Sequence, residues 1–367
     1  MIKSLYVHIP FCVKKCLYCD FNSYSNNSIQ NEYIDALLEE LSSIEIKEFE
    51  TIFVGGGTPT ILSIQNMDKL LKQLNRFNPK EYTFEANPGT LSEEKLKLMK
   101  DGGVNRLSIG LQAWQDRLLN RLGRIHTLKE FLNNYYMARK HGFKNINIDL
   151  MFAIPEQTFE DWVETIENVL SLKPEHLSCY SLIIEEETPF FEMNQKKMLK
   201  LPEEEVERKM YKYAINVLQG HGLNRYEISN FALSGYECRH NITYWMDEEY
   251  IGCGAGAHSF FNKKRYYNFK GISEYIKGVK NGNTIEEKTE LTLNDEMSEF
   301  MFLGLRMCMG IEKRRFKKRF GVEIEEVYSR EINDLIHKGL LIDNGEFIRL
   351  TDAGIDLSNQ VFVSFLR

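Results

Sequence analysis

Short runs rich in β-branched and aromatic residues alternate with longer amphipathic stretches through the first half of the chain. The runs 5–9, 51–54, 81–84, 106–109, 145–148 and 176–181 predict six strands, and 32–41, 67–74, 92–100, 128–141 and 159–170 predict five helices between them. Ser92, followed at once by Glu93 and Glu94, supplies an N-cap and first-turn acids for the third helix. Strands separated by helices must pair in parallel, because a hairpin cannot join parallel neighbours. Six such units fall short of an eight-fold closed barrel, so the pattern predicts an α/β fold with an open, partial (β/α)6 barrel.

Beyond about residue 185 the alternation stops. Residues 202–219 read as one helix with Glu203 to Glu205 at its dipole-favoured start, and 225–228 as a strand. From about 289 a separate unit begins, with helices over 295–307, 312–320 and 325–338. Asn344-Gly345 between two alternating runs, within 340–350, signals a two-residue hairpin. Three helices and a hairpin give a mostly helical, winged-helix-like module. Its basic run at 313–319 reads as a solvated helix face. The expected division is therefore 1–185 for the barrel, 186–288 for a barrel extension and linker, and 289–367 for the C-terminal domain.

The polar residues fall in one phase with the strands. Cys12, Cys16 and Cys19 follow the first, Gly55 to Thr60 the second, Glu85 to Pro88 the third, Gly110 to Gln112 the fourth and Asp149 the fifth. Each lies at a strand's carboxyl end, where the loops of a parallel barrel converge on its active site. The glycine run lacks the Gly-Lys-Ser/Thr of a phosphate-binding loop. Three cysteines at spacings of four and three suit a soft metal centre. Bound to a cubane iron-sulfur cluster they leave one iron free for a small molecule; a zinc site with a fourth ligand, or unliganded thiols, are the alternatives.

Composition narrows the classes. The 367 residues carry a net charge of -7, which gives no whole-chain attraction to nucleic acid. Seven cysteines, four of them scattered singly at Cys179, Cys238, Cys253 and Cys308, argue for a reducing compartment rather than a disulfide framework. No apolar run is long enough to span a bilayer, and Met1 leads directly into a strand, so a cytoplasmic location is expected, with a peripheral membrane contact left open.

The string from Tyr6 through Cys12 and Cys16 to Tyr18 and Cys19 resembles the signature of radical S-adenosylmethionine (SAM) proteins, and within them the branch of oxygen-independent coproporphyrinogen III oxidases and haem chaperones. The resemblance implies one [4Fe-4S] cluster on Cys12, Cys16 and Cys19, its open iron chelating SAM. It further implies SAM contacts at Tyr6, Tyr18, Gly56, Gly57, Thr58 and Glu85, with Gln112, Arg124 and Asp149 towards the adenosine or a second SAM. Arg124, in the irregular stretch 122–126, reads otherwise as a solvated side chain.

A second stretch, His240-Asn241 followed by Tyr244-Trp245, reads by itself as a packed loop. It is similar to the His-Asn-x-x-Tyr-Trp motif of the haem chaperones, which makes His240 the expected haem ligand, with Cys238 an alternative thiolate. The run 252–259 implies close packing of chain against the barrel, and His258 reads as a satisfied core histidine.

Within the branch, the oxidases carry a further cysteine two places after the third, where this chain has Phe21, and an N-terminal extension that this sequence lacks. The expected function is haem uptake and delivery to apo-haemoproteins, membrane-associated recipients and a homodimer being left open. Decarboxylation of coproporphyrinogen III is the alternative. A winged-helix nucleic-acid regulator fits neither the charge nor the strand-end residues.

Overall fold

In the computed structural model, residues 2–367 are described. The six expected strands form at Ser4–Ile9 (β1), Thr51–Gly56 (β2), Glu81–Ala86 (β3), Arg106–Gln112 (β4), Ile146–Phe152 (β5) and His176–Ser181 (β6). They pair in parallel in sequence order. The helices between them include Gln30–Ser42, Ile64–Asn75, Glu93–Asp101, Leu128–Lys140 and Phe159–Ser171. Ser92 caps the third by accepting from the Lys95 amide at 3.2 Å. The architecture is the open, partial α/β barrel that the alternation predicts.

Strand alternation divides the barrel into two chemistries. Leu5, Val7, Ile52, Val54, Leu107, Ile109, Ile146 and Ile148 are fully buried against helix residues such as Leu37, Leu70, Leu96 and Ile166. Burying each such side chain contributes roughly 1.5–3 kcal/mol. The alternate positions point inward and are mostly polar, Phe53 and Met151 excepted. Asn147 bridges Ser108, Asp149 and His176, and Thr51 reaches Ser4. The interior is thus a polar column with an apolar sleeve.

The sheet is wider than the sequence predicted. Tyr250–Cys253 pairs in parallel with β1 on the edge away from β2, and His258–Phe261, Lys264–Asn268 and Ile285–Glu290 extend it antiparallel. Asn230–Ala232 and Asn224–Arg225 extend the other edge beyond β6, the latter only two residues where a four-residue strand was expected. The run 252–259 packs closely, as read: a Cβ on Gly252 would lie 2.1 Å from the His258 carbonyl oxygen.

The C-terminal helices Leu293–Gly304, Lys313–Phe320 and Ile324–His337 close over their own core of Met301, Leu305, Phe316, Tyr328 and Ile348, beside a three-stranded sheet. The hairpin turn lies one residue later than the Asn-Gly signal implies. Asn344 pairs with Phe347 across the turn, and Gly345, at φ +90°, takes the first turn position. The basic run is not simply a solvated face. Arg319 pairs with buried Asp247 at 2.8 Å, Arg315 donates to the Met246 carbonyl at 2.8 Å, and Lys313 holds Asp343 at 2.6 Å. With Lys317 paired to Glu323, four of its six cations fix the module to the preceding segment and to itself.

Candidate functional site

Beyond β1 the cysteine loop is pinned by backbone. Cys12 N–H donates to Tyr24 O at 2.9 Å, Tyr24 N–H to Pro10 O at 2.7 Å and Leu17 N–H to Leu122 O at 3.0 Å. Beneath the loop lies a cavity of about 370 Å3 lined by all three cysteines together with Tyr18, Gly56, Gly57, Thr58, Glu85, Gln112, Arg124 and Asp149. Of the thirteen expected site residues, the structure brings these eleven to one place. They come from the carboxyl ends of β1 to β5 and the loops that follow.

The donor set fits a multinuclear cluster. Among the described residues no three Cys, His, Asp or Glu side chains converge on a single-ion site. Thiols that each take their own iron need no such convergence. Arg124 Nη1 lies 3.7 Å from Cys16 Sγ, and Thr58 Oγ1 lies 3.5 Å from Cys12 Sγ, so a cation and a hydroxyl attend the sulfurs. Burial, with the neighbouring thiols, pushes the Cys19 thiol up to about 11 against a lowering backbone hydrogen bond at Phe21. A coordinating metal would reverse that cost by holding the thiolate.

Arg124 is not a solvated side chain. Its Nη2 donates to Asn87 Oδ1 at 2.7 Å and to Gly110 O at 2.8 Å, while Asn87 Nδ2 donates to Thr58 Oγ1 at 2.7 Å. Asn87 thereby ties the second and third loops to the cysteine loop. The sequence shows it only within the strand-end run Glu85 to Pro88, with no role of its own. Gly110 makes room for this junction, since a Cβ there would sit 2.9 Å from Gln112 Nε2 and 3.1 Å from Arg124 Nη2. Gln112 itself is held at φ +73° beside a register shift between β4 and β5, a strained backbone at the cavity wall.

The glycine run serves close approach of protein to protein. A Cβ on Gly56, at φ +112°, would meet the His8 ring at 2.6 Å, and one on Gly57 would meet Phe11 O at 2.7 Å. Gly56 N–H donates to Glu85 Oε2 at 3.1 Å. Burial, and then Asp149 nearby, push the Glu85 carboxyl up to about 8. Asp149 is raised by burial as well, against hydrogen bonds from Asn147, Ser178 and Ser108. Two carboxyls that are costly to ionise at one end of a polar column are primed for a cationic ligand.

Two expected residues lie elsewhere. Tyr6 lines a neighbouring cleft and donates its hydroxyl to His8 Nδ1 at 2.9 Å, the His8 Nε2–H being given to Asn22 O at 2.8 Å. His240 corrects the sequence reading. It sits not in a loop but in the helix Arg239–Trp245, at the amino ends of the strands, and is 1 % exposed. Its Nδ1 is bonded to Thr51 Oγ1 and its Nε2 to Tyr244 Oη, each at 2.8 Å, and its ring packs on Phe53. Glu81 accepts from the backbone amides of Arg239 and His240, both at 3.0 Å, which fixes the helix start in the barrel mouth. Both ring nitrogens are hydrogen-bonded, so the one lone pair of the neutral ring is engaged, and an iron would have to displace a hydroxyl to meet it. Cys238 is likewise fully buried, its thiol 3.6 Å from Glu81 Oε1.

His258 reverses its reading too. It is exposed, not a satisfied core residue, because Ser259 and Phe260 take the buried positions of its strand. It lines the larger cleft, about 930 Å3, along the open side of the barrel.

A model of the Radical SAM superfamily matches residues 6–169 and a model of the HemN C-terminal domain matches 291–357. The heme chaperone HemW of Bacillus subtilis is 42% identical over 376 residues, covering 100% of this chain and 99% of that protein. HemW of Lactococcus lactis is 41% identical over 99% of this chain and 97% of its own, and HemW of Escherichia coli is 32% identical over 99% and 98%. Among solved structures, coproporphyrinogen III oxidase (HemN) from Escherichia coli superposes with a TM-score of 0.85 at 23% identity, over 99% of this chain and 90% of that one. At that identity the likeness speaks for the fold alone. The full-length identity to HemW speaks for more, and the chain belongs to the haem chaperone HemW family of radical SAM proteins.

Proposed function

We propose that this protein takes up haem and delivers it to apo-haemoproteins in the cytoplasm, and that it retains a [4Fe-4S] cluster and a SAM site. The observation that carries this reading is 42% identity, end to end, to a heme chaperone HemW. In this reading Cys12, Cys16 and Cys19 hold the cluster, which would supply an iron-bound place for SAM and a source of electrons. Gly56, Gly57 and Thr58 form the wall against which the bound molecule rests, and Tyr18 closes the cysteine side. Glu85 and Asp149 offer paired carboxyls to its cationic part, while Gln112 and Arg124 order the far wall. Residues 1–185 carry this site, 186–288 complete the sheet, and 289–367 form the module that borders the cleft.

Phe21 stands where the oxidases of this branch carry a further cysteine, which argues against coproporphyrinogen III as substrate. The test is side-by-side incubation of the anaerobically reconstituted protein with haem, and with coproporphyrinogen III plus SAM and reductant. Stable haem binding without protoporphyrinogen IX is the expected pair of results. Decarboxylation without haem binding would overturn the reading.

A further inference from the structure

We propose that His258 is the axial ligand through which this protein holds haem iron, in the cleft between the open side of the barrel and the helix Leu293–Gly304. The inference rests on the haem-binding reading above and identifies the place and the ligand. The chain has eight histidines. His8, His176 and His240 have both ring nitrogens hydrogen-bonded. His141, His221 and His337 each bond back to their own helix at 2.8–2.9 Å and line no described cavity. His126 is buried and borders a space of about 20 Å3, far below the size of a macrocycle. His258 alone combines an exposed imidazole, ring nitrogens without a hydrogen bond among the described residues, and a cavity of about 930 Å3. That volume lies at the upper end of the roughly 300–1,000 Å3 range of small-molecule sites.

The lining offers a flat ligand aromatic and aliphatic faces and two ammonium groups for its acids, set among five carboxyl groups, Asp20, Glu187, Asp247, Glu248 and Glu299, of which Asp247 and Glu299 are taken by Arg265. Trp245, Tyr250, Phe302 and Leu303 supply aromatic and aliphatic faces to the cleft. Lys270, on the His258 side, makes no ion pair among the described residues and suits a propionate, as does Lys15 at the opposite end. The other cation, Arg265, is committed to Glu299 and Asp247 at 2.7 and 3.2 Å. The imidazole is oriented before any ligand arrives: its ring packs on Tyr267 across the strand pair at 5.0 Å, and Tyr267 donates to Glu287 at 2.7 Å. Partial burial, then Lys270 and Arg265, lower its pKa, so the neutral donor form prevails at neutral pH. The Tyr244-Trp245 end of the motif thus borders the cleft while its histidine holds the helix in place. Lys15, Asp20 and Phe21 line both this cleft and the cysteine cavity, so the two sites share a wall.

The experiment titrates full-length, cluster-reconstituted wild type, His258→Ala and His258→Met with haem and, separately, with iron-free protoporphyrin IX. Wild type should bind both. His258→Ala should weaken haem at least tenfold and move the Soret band while leaving iron-free porphyrin affinity within twofold, because only the iron senses the lost imidazole. His258→Met should retain haem with an altered ligand spectrum. A wild-type Soret band and affinity in both variants would overturn the assignment, as would equal losses for haem and iron-free porphyrin in both. Failure of the wild type itself to bind haem would instead sink the chaperone reading.

Discussion

The cysteine cavity and the helix Arg239–Trp245 both stand out in the sequence as chemistry, yet the fold treats them oppositely. The cavity gathers side chains from five strand ends and leaves them facing open space. The helix carries an equally suggestive histidine, and spends it on Thr51 and Tyr244 at the other end of the same barrel. What separates the two is direction along the strands: loops after carboxyl ends can present donors, whereas a segment inserted at the amino ends must satisfy the polar column that it seals. A motif shows which atoms are available to chemistry only once its hydrogen-bond partners are known.

The largest expected effect is on the cavity side. Replacing any one of Cys12, Cys16 or Cys19 by Ala should abolish the reconstituted cluster's visible absorption and its complement of about four irons. Cys179→Ala and Cys308→Ala should leave both intact, since neither lines the cavity. Retention of a full cluster in a motif variant would remove the distinction between the two regions.

On the helix side the expected loss is of stability. His240→Ala leaves the Tyr244 hydroxyl without a partner, takes from Thr51 one of its two bonds and opens a void beside Phe53, which should cost about 3 kcal/mol in denaturant unfolding. Burial, and then Arg106, hold the His240 imidazole down to about 3 from an ordinary 6.5. Between those values the unfolded chain binds the proton and the folded one does not, so this residue makes stability fall as pH drops below about 6.5. The variant should show a flatter acid limb; an unchanged limb with unchanged stability would return His240 to the list of free ligands.

A smaller effect sharpens the cavity. A cationic ligand needs Glu85 ionised, while the empty site keeps it protonated up to about 8. Binding therefore releases a proton, and SAM affinity should rise with pH until about 8 and then level. Glu85→Gln should bind SAM severalfold more weakly at pH 8 and lose that part of the slope, as read by calorimetry in two buffers. Equal affinity and slope in the variant would place the ligand elsewhere.

The barrel was legible because its strands are bounded by helical segments and because glycine, acid and amide residues recur at strand ends, a phase that local sequence displays. Tyr250–Cys253 was not, since its partner β1 lies some 240 residues away and nothing local marks a parallel edge. The roles of His240 and His258 were hidden for the same reason. Thr51 and Glu81, which bury His240, lie more than 150 residues from it, and the exposure of His258 follows from strand pairing with Lys264–Asn268 that the run itself does not display. The inward ion pairs of Arg315 and Arg319 likewise depend on 246–247, distant in sequence.

The most direct test of the central claim is transfer. Haem-loaded protein mixed with an excess of an apo-haemoprotein should lose its own Soret band as the acceptor's appears, with cluster and SAM retained by the donor. A donor that keeps its haem, or that releases it no faster than free haem is captured from solution, would contradict the account.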